Sequence, residues 1–91
     1  MRKFEALLIL AEAVGEGRLT AYEFSALCLP LYKYYPSQYA SEQHYEAASD
    51  LFVIADDYWA GEGEAPSDTL NEEQVKAAAV EIAARMRSLL D

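Results

Sequence analysis

Five apolar residues near the end of the chain, Val75, Ala79, Ile82, Met86 and Leu89, recur at spacings of four, three, four and three. That rhythm belongs to a helix laying one seam against other helices. A strand is excluded, because strand side chains alternate with a period of two. The 91 residues suffice for one modest core, in which other helices of the chain can meet this seam.

Three further segments carry helical spacing. The first is expected at about 2–14, with Phe4, Leu7, Leu8, Ala11 and Val14 on one face and Gly15 and Gly17 ending it. The second is expected at about 20–34. Thr20 and Glu23 have the spacing of a capping box, and Phe24, Leu27, Cys28 and Leu31 form its apolar stripe. Pro30 lies inside this pattern, where it bends the helix without ending it before Tyr34. The third is expected at about 42–59, opening near Ser41, with Tyr45, Ala48, Leu51, Phe52 and Ala55 facing inward. The fourth is expected at about 72–90. Asn71 caps it with Gln74, Leu70 and Val75 form a hydrophobic staple, and Glu72, Glu73, Arg85 and Arg87 suit its dipole. A small, acidic stretch from Ala60 to Leu70, containing Gly61, Gly63 and Pro66, reads as the loop before it. Four helices and three connections predict an all-α, antiparallel four-helix bundle forming a single domain over 1–91.

Charge narrows the function. The net charge is −9, which opposes nucleic acid and anionic membrane as ligands. From Tyr34 to Val75 there are ten acids and no Lys or Arg: Glu42, Glu46, Asp50, Asp56, Asp57, Glu62, Glu64, Asp68, Glu72 and Glu73. Glu42, Glu46, Asp50 and Asp57 fall within a stripe roughly 80° wide on the third helix. Like charges one turn apart weaken a helix by a few tenths of a kcal/mol per pair, with nothing local to compensate them here. A surface serving only solubility would mix signs. Such segregation favours an interaction with a basic partner.

Signatures of catalysis are sparse. His44, near the apolar face, reads as a partly buried packing residue, and Cys28 as a small buried apolar one. One Cys and one His make no zinc set and no disulfide, so neither a metal nor a cofactor is expected, and a reducing cytoplasm is the default. Asp56 and Asp57 lack a nucleophile to serve, and Gly61-Glu62-Gly63-Glu64 has neither a P-loop lysine nor EF-hand spacing. Acyl carriers are small acidic bundles too, but Ser49-Asp50-Leu51 reverses their Asp-Ser-Leu order and lies within a helix. Glu5 and Glu12 interrupt the only signal-like apolar stretch, so no cleaved signal is expected, and no run is long enough to span a membrane. Tyr32, Tyr34, Tyr35, Tyr39, Tyr45, Tyr58 and Trp59 surround the acidic segment, either capping the core or serving as interface anchors. Tyr34, Tyr35 and Tyr39 are the ones expected to be exposed.

Two stretches carry a family resemblance. Gly17-Arg18-Leu19-Thr20-Ala21-Tyr22-Glu23-Phe24-Ser25 resembles the start of helix two in the colicin D immunity proteins and related contact-dependent inhibition immunity proteins. Asp50-Leu51-Phe52-Val53-Ile54-Ala55-Asp56-Asp57-Tyr58 resembles the end of their helix three. The resemblance implies a four-helix, non-enzymatic inhibitor that covers the basic active site of a tRNA-cleaving toxin domain with carboxylates. Asp56 matches a family acid that faces the toxin. Two later acidic positions of the family are Trp59 and Gly61 here, so either the partner's active site differs or Glu62 and Glu64 supply the missing charge.

The expected toxin-binding set is therefore Glu42, Glu46, Asp50, Asp56, Asp57, Trp59, Glu62 and Glu64, on a cytoplasmic chain that is monomeric when free and binds its toxin one to one. The alternative is a helical adaptor or regulatory module, with the seam of the fourth helix serving a dimer.

Overall fold

Local sequence signals open each of the last three helices in the computed structural model, which describes residues 3–34, 39–59, 61 and 63–90. The helices are α1 (Lys3–Gly15), α2 (Ala21–Tyr34), α3 (Glu42–Asp57) and α4 (Glu72–Ser88). At α2, Thr20 Oγ1 accepts from the Glu23 N–H at 3.0 Å, and Glu23 Oε1 accepts from the Thr20 N–H at 2.9 Å. Asn71 and Gln74 repeat the arrangement at α4, with both bonds at 2.9 Å. Ser41 caps α3 by accepting from the His44 N–H. These bonds occupy amide donors that a helix start otherwise leaves unpaired. Substituting such a cap with alanine typically costs about 1 kcal/mol.

The four helices form a four-helix bundle with α1 beside α2, α2 beside α3, α3 beside α4 and α4 beside α1; the diagonal pairs touch less. The core is apolar: Leu7, Val14, Phe24, Cys28, Leu51, Val75 and Met86 are fully buried, and among the described residues no buried one is polar or charged. Polar bonds bind helices at its margin. Ser25 Oγ donates to the Ala55 carbonyl at 2.7 Å, and the Tyr32 hydroxyl lies 2.8 Å from Ser49 Oγ, both joining α2 to α3. Glu72 Oε2 accepts from the Ala21 N–H at 3.0 Å, so the first turn of α4 caps α2 as well. α2 continues through Pro30 to Tyr34, as expected.

Several inward assignments move. On α3, Ala47 and Ile54 are buried, Phe52 is half-buried against Tyr32, and Tyr45 is 51% exposed. The buried face is thus rotated away from Tyr45 and Phe52. Leu27, expected in the stripe of α2, is 50% exposed. α3 ends at Asp57, not at Trp59, because Tyr58 turns into an extended conformation and makes a parallel bridge with Leu70. The seam of α4 is consumed inside the fold: Val75, Ala79, Ile82 and Met86 are buried, and Leu89, just past the helix, packs against the same core. It is therefore not available as a dimer seam.

Candidate functional site

Burial of Ala47, Leu51, Ile54 and Ala55 fixes which side of α3 meets the bundle. The opposite side holds Glu42, Glu46, Asp50 and Asp57, together with Asp56 at its margin. Glu42, Glu46, Asp50 and Asp56 are exposed, while Asp57 is half-buried. From Glu42 to Asp57 the stripe extends roughly 22 Å along the helix.

Among the described residues, self-neutralisation is limited to one member. Arg85 of α4 reaches Asp50 at 2.5 Å, so the compensation absent from the local sequence comes from across the bundle. The other ion pairs lie elsewhere: Arg18 with Glu16, Lys76 with Glu72, and Arg87 with Glu12. Lys33 stands over the Phe52 ring, 5.7 Å from its centroid, on the α2 flank. Among the described residues, Glu42, Glu46, Asp56, Asp57 and Glu64 have no ion-pair partner.

The sequence reading missed an apolar residue within this field. Val53 is 49% exposed and lies in the angular sector of Glu42, Glu46 and Asp57. Its β-branched side chain amid acids one turn away on either side was the available signal. Tyr45, also exposed, stands on the flank of the same face and contacts Tyr39 edge-on, with ring centroids 5.5 Å apart. Apolar contacts within a charged surround are the usual anatomy of a protein interface.

The loop extends the site beyond α3. The Leu70 N–H donates to the Asp57 carbonyl at 2.9 Å, and the Trp59 N–H donates to the Leu70 carbonyl at 3.1 Å. These bonds pin the loop's two ends together. Trp59 is half-buried, and a side chain at Gly61 would stand 2.8 Å from the indole, so glycine permits this close approach. Glu64 and Asp68 are exposed beyond it, after Gly63 at φ +87°. Glu62 lies outside the described residues, as does the side chain of Tyr34 and all of Tyr35. Tyr39, expected to be exposed, is half-buried; burial raises its hydroxyl pKa, with neighbouring Tyr32, Tyr45 and Cys28 adding to the shift.

His44 belongs to the packing. Its ring lies 4.8 Å from Phe4, Nε2 is 3.1 Å from the Leu89 carbonyl, and Nδ1 is 2.6 Å from Ser41 Oγ. A carbonyl only accepts, so Nε2 carries a proton and ties α3 to the end of α4. Cys28 is buried, and desolvation pushes its thiol up to about 12. Among the described residues no three His, Cys, Asp and Glu side chains converge as a metal site, and no helix is long and apolar enough to cross a membrane.

Fold and surface together define an acidic helical bundle with an exposed carboxylate face on α3. No protein-family model and no curated protein matches the chain.

Proposed function

We propose that this chain is an immunity protein: it binds the nuclease domain of a bacterial toxin, in the cytoplasm of the cell that makes both, and blocks its basic active site. The observation that carries this reading is the run of carboxylates on the outer face of α3, of which only Asp50 is paired with a base among the described residues. A nuclease that grips RNA phosphates presents cations in a groove. Carboxylates held on a stiff helix compete for those cations without the ordering cost of a flexible acidic tail. Asp56, Asp57, Glu46 and Glu42 supply the charge, Glu62 and Glu64 extend it along the loop, and Val53 and Trp59 give apolar contact. Asp50 enters the interface only by exchanging Arg85 for a base of the toxin. Long-range attraction speeds encounter, so association slows steeply as salt rises. The resemblance of the Thr20–Ser25 and Asp50–Tyr58 stretches to colicin D immunity proteins supports the same reading.

The test is co-expression with the C-terminal domain of the protein encoded by the gene immediately upstream, which this reading expects to be a basic nuclease. Cells carrying both should grow and keep their tRNA intact, whereas the nuclease alone should kill. Equal killing with and without this chain, at matched expression, removes the proposal.

A further inference from the structure

The side of the bundle formed by α1 and α2 carries an open apolar groove of about 380 Å³, lined by Ala6, Ile9, Leu10, Leu27 and Leu31. Ile9 is 46% exposed, so two large aliphatic side chains, Ile9 and Leu27, stand half in water in a groove whose lining side chains are all apolar. This face is independent of the carboxylate stripe, because α1 and α2 are neighbours on the square and the stripe points outward from α3.

Charge at the rim decides what fits. Glu5 precedes Ile9 by one helical turn, and Glu23 precedes Leu27 by one turn; both acids are exposed. Neither has a base within ion-pair distance among the described residues, although Glu23 Oε1 accepts from the Thr20 N–H. The nearby Glu12 and Glu16 are engaged by Arg87 and Arg18. Lys3 is tied to the Tyr32 carbonyl at 2.5 Å and lies 5.0 Å from the ring centroid of Tyr32. That contact also sets the register: Lys3 lies level with Tyr32, so Glu23 lies about level with Glu12. The helices run in opposite directions, which puts Glu5 and Glu23 at opposite ends of the groove, about 10 Å apart along its axis.

We infer that this groove docks an amphipathic helix from a basic protein partner. The helix would place apolar side chains at i+3 and i+4 on Ile9 and Leu27, and Lys or Arg at i and i+7 toward Glu5 and Glu23. Seven residues of helix rise by about 10 Å, which matches the separation of the two acids. A second copy of this chain would bring like-charged rims together across the groove, so it is the poorer occupant.

The experiment uses the full-length protein and a synthetic helical peptide of about 20 residues with Lys at i and i+7 and Leu at i+3 and i+4. A peptide of the same composition with that spacing scrambled is the control. Methyl-resolved NMR should show the largest shifts at Ile9, Leu10, Leu27 and Leu31, with the scrambled peptide binding at least about tenfold more weakly. The Ile9→Gln/Leu27→Gln variant, altered only at half-exposed positions, should lose a similar factor, while Asp56→Asn should change affinity by less than about threefold. Shifts centred on Val53, equal binding of the scrambled peptide, or unchanged binding by the groove variant would each overturn the inference. So would sedimentation showing a dimer that Leu27→Gln dissociates. Loss of toxin protection in Asp56 variants bears only on the α3 surface, so the two readings fail separately.

Discussion

Replacing Asp56 with lysine should make the free protein more stable and, under the proposed function, a weaker inhibitor. α3 ends on Asp56 and Asp57 with no basic residue in its last turn. A helix C-terminus carries about half a negative charge, so a carboxylate there is unfavourable by roughly 0.3–1 kcal/mol, and a cation is favourable by a similar amount. Lysine is also the better helix former by a few tenths of a kcal/mol. Asp56 is exposed and makes no ion pair among the described residues, so solvent screening trims the sum and the substitution breaks no bond seen there. A net gain of about 1 kcal/mol remains, equivalent to roughly 4–8 °C in melting temperature for a domain of this size. Circular dichroism melts at low salt measure it, and in about 0.5 M NaCl most of the electrostatic part should vanish. Protection against the toxin domain should fall by at least tenfold in the same variant. A lower melting temperature would show that Asp56 supports the fold, and stabilisation with undiminished protection would remove it from the contact surface. A gain in one readout with a loss in the other is an outcome that a purely structural residue does not produce.

Three other substitutions or titrations probe the scaffold. Cys28 should resist a thiol reagent in the native protein at pH 8 and react at once in denaturant. Its folded pKa is raised by burial to about 12, from an ordinary value of 9.0, so the unfolded chain ionises first and stability should fall as pH climbs above 9, followed by urea midpoints. Thr20→Ala should cost about 1 kcal/mol by urea unfolding, with Thr20→Asn recovering most of it. A Cβ at Gly15 would stand 2.8 Å from Val80 Cγ2. Gly15→Ala should therefore deliver its helix-propensity gain of about 1 kcal/mol only in the Val80→Ala background, giving favourable coupling in a double-mutant cycle.

The helices were legible because their punctuation is local. Thr20 with Glu23, Ser41, and Asn71 with Gln74 act within four residues, and each cap forms where the spacing put it. The rotation of α3 was not legible, because alanine gives little hydropathy contrast while Tyr45 and Phe52 give much. Close packing admitted the small Ala47 and left the larger Tyr45 outside. The acidic stripe followed from periodicity alone. Its partial neutralisation did not, since Arg85 meets Asp50 only after α3 and α4 have packed. Trp59 and Leu70 meet for the same nonlocal reason, and so do Ile9 and Leu27.

The link between Tyr58 and Leu70 holds the two ends of the acidic loop together at the end of α3. Exposed positions there such as Glu64 and Asp68 can be recharged at little thermodynamic expense, and lengthening an already closed loop adds only a slowly growing entropy term, whereas Gly61 is held to glycine by the Trp59 indole. Such a scaffold separates what must stay fixed from what can diversify. Under the proposed function, an altered toxin could be met in part by rewriting the exposed positions of this tethered stretch, leaving the helices to fold as before.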